Sequence, residues 1–176
     1  MVEESVSRSH DAARAVERDL ARFYEDHYAR LLRLAGLIAH TGIQPEDVVQ
    51  AAMEQAWRRR ATFAHSGRLR GWLDRIVVRE AIRVNRTAMR SLQALPTASG
   101  SDPPDPRAST GALRLAILLA FRSLPVEQRA VVVLHLHLGY SLPETASITK
   151  SHLETTRSRL RLARQRLRRE LEEEST

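Results

Sequence analysis

The chain contains no cysteine, which excludes a disulfide framework and a thiolate metal site and suits a reducing compartment as well as any other. Long apolar runs are missing too. No stretch approaches the length of a membrane span, and the opening MVEESVSRSHDAARAVERD alternates charges, so neither a transmembrane helix nor a signal peptide is expected, and a soluble cytoplasmic protein is. Catalytic signatures are equally scarce, with no Walker loop, no GxGxxG and no GxSxG. The seven histidines are scattered. His135 and His137 lie close together, but their helix offers no carboxylate or cysteine partner, so no metal, no cofactor and no enzymatic activity are expected. Glu46, Asp47 and Glu54 share a segment with Gln50 but have no histidine or nucleophile beside them, which suits a solvated or partner-binding face better than acid–base chemistry.

What remains is a 176-residue chain with 43% hydrophobic residues, too apolar to be wholly disordered and long enough for one ordinary domain or two small ones. Its net charge of +7 is unevenly placed. Residues 1–19 carry −2, 20–90 carry +6, 91–110 carry −1, 111–172 carry +6 and the tail from 173 carries −2. Two basic modules thus flank a slightly acidic connector, a pattern that suits two contacts with a polyanion. Of the 28 basic residues only Lys150 is lysine, which a codon bias toward arginine explains by itself, so placement carries the argument.

The connector SLQALPTASGSDPPDPRAST, residues 91–110, holds Pro96, Pro103, Pro104, Pro106 and Gly100 and shows no hydrophobic period, as an extended linker would. On either side strand-like alternation is missing, so the fold class expected is all-α, two small helical domains joined by a flexible linker. An N-terminal extension, residues 1–19, precedes the first domain, 20–90. There, Leu20, Phe23, Tyr24, Tyr28, Leu31, Leu34, Ala35 and Ile38 predict a helix ending near Gly42. A second helix opens at Pro45, with Glu46 and Asp47 at its positive end and a stripe of Val48, Val49, Ala52, Met53, Ala56 and Trp57. A third begins near Arg68 and buries Leu69, Trp72, Leu73, Ile76 and Val77. Trp57 and Trp72 are both read as core. In the second domain, 111–172, helices over Ala112–Arg122 and Val126–Leu138 precede two capping boxes, Ser141-Leu-Pro-Glu144 and Ser151-His-Leu-Glu154. A short helix, a turn near Thr149-Lys150-Ser151 and a long helix to about Glu172 make a helix-turn-helix.

Two surfaces carry the functional reading. At about 100° per residue, Arg68, Arg75, Arg79, Arg83, Arg86 and Arg90 fall within about 80° of the third helix, with Asp74 and Glu80 the obvious neutralising acids. The ridge is either a solvated face or a grip on phosphates, to which arginine's planar fork is suited. In the last helix Leu153, Thr156, Leu160, Ala163, Leu167 and Leu171 share a sector flanked by Arg157, Arg161, Arg164 and Arg168. A coiled coil is the rival reading, but a capped short helix immediately precedes the pattern. The start of such a helix enters the major groove, so His152, Glu154, Thr155, Arg157, Ser158 and Arg161 are the candidate base readers. Phe63, in the basic loop RRRATFAHSGRLR, either stacks on an unpaired base or tucks onto its own helices.

Pro45-Glu-Asp-Val-Val-Gln50, Ala56-Trp57, Trp72-Leu73 and Ile76 resemble region two of the extracytoplasmic-function group of the sigma-seventy superfamily. Leu124-Pro125, Glu127-Gln128-Arg129, Glu144-Thr-Ala146 and Thr155-Thr-Arg-Ser-Arg-Leu160 resemble its region four, at the family's own spacing. The resemblance implies a non-enzymatic factor that binds core RNA polymerase and directs it to promoters. Asp47, Gln50 and Glu54 would meet the β′ clamp helices, and the second domain the β flap. Arg58, Arg59, Phe63, Arg68, Arg75, Arg79, Arg83 and Arg86 would hold the melted minus-ten element and the DNA backbone, with a flipped base in the loop from Arg58 to Arg68. The helix-turn-helix would read the minus-thirty-five duplex, the linker would thread the polymerase cleft, and an anti-sigma factor is a possible further partner. The chain departs from the family at Arg79 and Arg83, where many relatives carry Asn and Asp, and at Lys150, which stands at the turn glycine. His152 occupies the usual capping serine. A stand-alone helix-turn-helix regulator and a partner-sequestering protein are the alternative readings.

Overall fold

The computed structural model describes residues 2–60, 69–93 and 109–173, and every regular element among them is helical. The order is α1 (Val2–Ile38), α2 (Pro45–Arg58), α3 (Leu69–Gln93), α4 (Ser109–Ser123), α5 (Val126–Val132), α6 (Leu142–Thr149) and α7 (Leu153–Glu173). Helix α5 continues through one wider, π-helical turn, Val133–His137. Two boundaries differ from the sequence reading. Helix α1 runs unbroken from Val2 through the supposed extension, and the connector is shorter at both ends, by three residues where α3 runs on to Gln93 and by two where α4 starts at Ser109. The sequence of these ends carries no clear hydrophobic period, the signal by which an amphipathic helix is recognised.

Helices α1, α2 and α3 form the first lobe. Leu31, Leu34, Ala35 and Ile38 of α1, Val48, Val49, Ala52 and Ala56 of α2, and Leu73, Val77, Val78 and Ala81 of α3 make its core. Each fully buried Leu or Val contributes about 1.5–3 kcal/mol. The second lobe packs α7, through Leu160 and Ala163, on Leu124, Val131 and Val132. The lobes are docked on each other: Ala130, Val133, Leu134 and Ile148 belong to the same buried cluster as the first-lobe residues.

The turns follow from backbone chemistry. Gly139, at φ +76, ends the α5 segment, and the Tyr140 N–H closes on the Leu134 carbonyl at 3.0 Å. Lys150 adopts the same left-handed region, at φ 52, after α6. There the Ser151 N–H bonds the Ala146 carbonyl at 3.0 Å and the Lys150 N–H the Ser147 carbonyl at 3.4 Å, which is a Schellman turn made without glycine.

Polar contacts join the lobes. Asp74, fully buried on α3, receives both guanidinium nitrogens of Arg30 at 2.6 Å and the Tyr140 hydroxyl at 2.8 Å. Burial, and then the bond to Asp74, push the Tyr140 hydroxyl up to about 12, so it stays a donor at any physiological pH. Arg86 donates to Glu127 at 2.8 Å. Burial would raise the Glu127 carboxyl, but the Arg86 bond, the backbone bond and Arg159 outweigh it and hold the group below the usual carboxylate range. That contact therefore contributes above the ordinary carboxylate pKa and is lost as pH falls through the depressed value. Tyr140→Phe removes one bond to Asp74 while leaving Arg30 in place. It is expected to destabilise the chain by about 1 kcal/mol, seen as a fall of about 2–4 °C in Tm; an unchanged Tm would mean that the bond contributes nothing.

Candidate nucleic-acid and polymerase interface

The helix-turn-helix is pinned by hydroxyls. Ser141 caps α6 in a complete capping box with Glu144, whose carboxyl is held down by the Ser141 hydroxyl and then the Ser141 N–H. The second predicted box does not form. Helix α7 starts at Leu153, Glu154 pairs with Arg157, and the Ser151 hydroxyl lies between those of Thr149, at 2.9 Å, and Thr156, at 2.8 Å. One residue of register moved Ser151 out of the capping position and into a hydroxyl chain that ties α6 to α7. Thr156 completes it by donating to the His152 carbonyl at 3.1 Å.

With Thr156, Leu160 and Ala163 buried, the opposite side of α7 turns outward. His152, Glu154, Thr155, Arg157, Ser158 and Arg161 are all exposed at its start, and Arg164 and Arg168 continue that surface. The geometry therefore offers a short run of donors and acceptors on a rigid rod, which is what insertion into a major groove requires.

The α3 ridge is divided. Arg75 is exposed, Arg83 and Arg86 keep 63% and 54% of their side-chain surface, and Arg79 is half-buried with its guanidinium bonded to the Ser147 and Ile148 carbonyls, each at 2.8 Å. Burial, then Arg75 and Arg59, lower the Arg79 pKa. Of the two expected neutralising acids, only Glu80 serves the ridge, pairing with Arg83 at 2.6 Å; Asp74 faces the core. Phe63 and Arg68 lie outside the described residues, whereas Arg58 and Arg59 are exposed at the end of α2.

On α2 the buried stripe is Val48, Val49, Ala52 and Ala56. Trp57 does not share it. Its indole is 45% exposed, with the Arg60 guanidinium 5.0 Å from the ring centre and bonded to the Trp57 carbonyl at 2.9 Å. Trp57 follows the core residue Ala56 by about 100° and lies only about 20° from Gln50, so it falls in the exposed sector of Asp47, Gln50 and Glu54. The indole therefore stands on the solvent-facing side of α2 with these polar residues, not in the core. Sequence reasoning missed it because an apolar residue next to a stripe was counted into the stripe.

Comparison with known proteins gives the same division. Sigma-70 region 2 matches residues 23–91, and Sigma-70 region 4 matches residues 114–167. The ECF RNA polymerase sigma factor SigM of Mycobacterium tuberculosis is 35% identical over 148 residues, 83% of this chain and 74% of SigM. SigL of the same organism is 32% identical over 167 residues, 92% of this chain and 94% of SigL. Among solved structures, the sigma factor RpoE of Bartonella quintana in complex with the anti-sigma factor NepR superposes with a TM-score of 0.70 at 24% identity, covering 88% of this chain and 98% of RpoE. CnrH in complex with the cytosolic domain of CnrY gives 0.60 at 23%, covering 93% and 94%. The fold and the paired regions define a sigma factor of the sigma-70 superfamily. Within it, the chain belongs to the extracytoplasmic-function group of RNA polymerase sigma factors.

Arg157→Ala and Arg161→Ala are each expected to weaken binding to the preferred minus-thirty-five sequence by about 1–3 kcal/mol, while binding to unrelated duplex changes less. The check is competition binding on holoenzyme against a library of upstream sequences; unchanged preference in both variants would remove α7's start as the reader.

Proposed function

We propose that this sigma factor recruits core polymerase through the exposed face of α2 and positions promoter DNA with α3 and α7. Asp47, Gln50, Glu54 and Trp57 form the polymerase contact, with the indole as the apolar anchor and the acids as its rim. Arg58, Arg59, Arg75, Arg79, Arg83 and Arg86, together with Phe63 and Arg68, hold the unpaired minus-ten strand and its backbone. His152, Glu154, Thr155, Arg157, Ser158 and Arg161 read the minus-thirty-five duplex. The protein acts by binding alone, in the cytoplasm, and the polymerase supplies the chemistry. Among the described residues no helix is long and apolar enough to cross a membrane, and no group of three potential metal ligands occurs.

The observation that carries this reading is the placement of the two surfaces. The α2 face and the start of α7 are exposed together, while Arg79 and Arg86 of the ridge are engaged by the other lobe. Polymerase can therefore dock first, and parting of the lobes then frees the ridge for DNA. An anti-sigma helix has a seat in the docked form, an apolar groove of about 620 Å³ lined by Leu37, Ile117, Leu118, Phe121, Leu136 and Leu167. Ile117 and Leu136 are about half exposed there, at 46% and 50%.

Charge reversal Asp47→Lys and truncation Trp57→Ala are each expected to lower affinity for core polymerase about tenfold or more, as for truncation of an interface anchor. Co-purification at graded concentrations reads the loss. Wild-type retention in both variants would place the polymerase contact elsewhere.

A further inference from the structure

Docking of the lobes brings together two surfaces of the same sign. Helix α3 supplies Arg79, Arg83, Arg86 and Arg90, the turn after α6 supplies Lys150, and α7 supplies Arg159; these six bases line a cleft of about 330 Å³ between the lobes. Among the described residues, carboxylates answer two of them, Glu80 for Arg83 and Glu127 for Arg86. The Arg79 guanidinium is spent on the Ser147 and Ile148 carbonyls, and the Arg90 Nε on the Arg86 carbonyl at 3.2 Å. Carbonyls satisfy N–H groups without cancelling their charge, so among the described residues bases still outnumber acids by four around this small cavity.

Like charges gathered at an interface oppose its closure unless something of opposite sign enters. Single counterions do this poorly, because each must be localised separately. A chain of linked phosphates meets several cations at once and releases their separate counterions, as phosphate backbones do. Arginine forks and a lysine ammonium are the groups that bind such oxygens. We propose that the inter-lobe cleft binds a compact oligophosphate, three or more linked phosphates free or carried on a nucleoside, and that its occupant holds the lobes closed.

Duplex DNA does not compete for the closed cleft, because the walls come from both lobes and enclose only about 330 Å³. It competes for the same arginines once the lobes part. An oligophosphate would therefore act against promoter engagement. That consequence rests on the sigma-factor reading; the binding itself does not.

The absence of cysteine allows a clean measurement. Spin labels at Ala29→Cys on α1 and Gln165→Cys on α7, both exposed positions, report the distance between lobes in the full chain. Inorganic tripolyphosphate, titrated at constant ionic strength, is expected to bind saturably with one site per chain and to collapse the distance distribution onto its short component. Sodium sulfate at the same ionic strength should do neither. Arg90→Glu and Lys150→Glu alter exposed residues, one on each lobe, and each should weaken tripolyphosphate at least tenfold with the helical signal retained. A parallel titration with a nucleoside triphosphate identifies the source, since the tighter binder of the two is the physiological class. Non-saturable binding, equal effects of sulfate, wild-type affinity in both variants, or binding that leaves the lobe distance unchanged would each overturn the proposal. Core-polymerase association of the same variants stays at the wild-type level if the sigma-factor reading holds, which separates the two questions.

Discussion

The docked arrangement depends on one buried cation. Arg129 is 1% exposed and no carboxylate among the described residues pairs with it; instead one nitrogen contacts the Ile38 and Ala39 carbonyls, at 3.3 and 2.8 Å, and another the Arg122 and Leu124 carbonyls, both at 2.9 Å. These carbonyls lie at the C-terminal ends of α1 and α4, where a helix presents unpaired acceptors and the negative end of its dipole. Burial, and then nearby Arg122, lower the Arg129 pKa, but a guanidinium remains charged and needs those acceptors. A single side chain from α5 thus terminates one helix of each lobe. Around it Asn85 accepts the His40 N–H at 2.8 Å, while Asp74 gathers Arg30 and Tyr140. Arg129 thus ties the end of α1 to the end of α4, beside the apolar contacts of Ala130, Val133 and Leu134.

The clasp decides which surfaces are available. Docking covers the Arg79 side of α3 and the end of α6 but leaves the α2 face and the start of α7 outward. On the proposed function, a factor built this way presents its polymerase contact before its full DNA contact. The interface is polar enough to part, since Arg79, Arg86 and Tyr140 would exchange their partners for water or phosphate, while Ala130, Val133, Leu134 and Ile148 supply its apolar contacts.

The helices were legible in the sequence wherever one face packs. Leu31, Leu34, Ala35 and Ile38 of α1, Val48, Val49, Ala52 and Ala56 of α2, Leu73, Ile76 and Val77 of α3, and Thr156, Leu160 and Ala163 of α7 are buried as their stripes require, and Pro45, Gly139 and the Ser141–Glu144 box mark real boundaries. The failures have physical causes. Asp74 was read as a partner of the ridge because its charge matched, but Asp74, Val78, Ala81 and Asn85 recur at three-to-four spacing on the buried side, and a buried carboxylate seeks a buried cation. Trp57 was assigned to the core by its chemistry rather than its angle. Nothing local announces that Tyr140 reaches Asp74 or that Arg129 spans both lobes, because such contacts depend on how two separately patterned modules meet. For the same reason the arginine ridge looked uniformly free, although the structure engages Arg79 and Arg86 with the second lobe.

Reconstituted transcription tests the central claim most directly: purified chain is combined with bacterial core polymerase and fragments of genomic promoter DNA, and run-off products are sized. The account predicts discrete transcripts that require both the chain and the core enzyme. Transcripts independent of the chain, or none from any fragment while the chain remains bound to core, would contradict it.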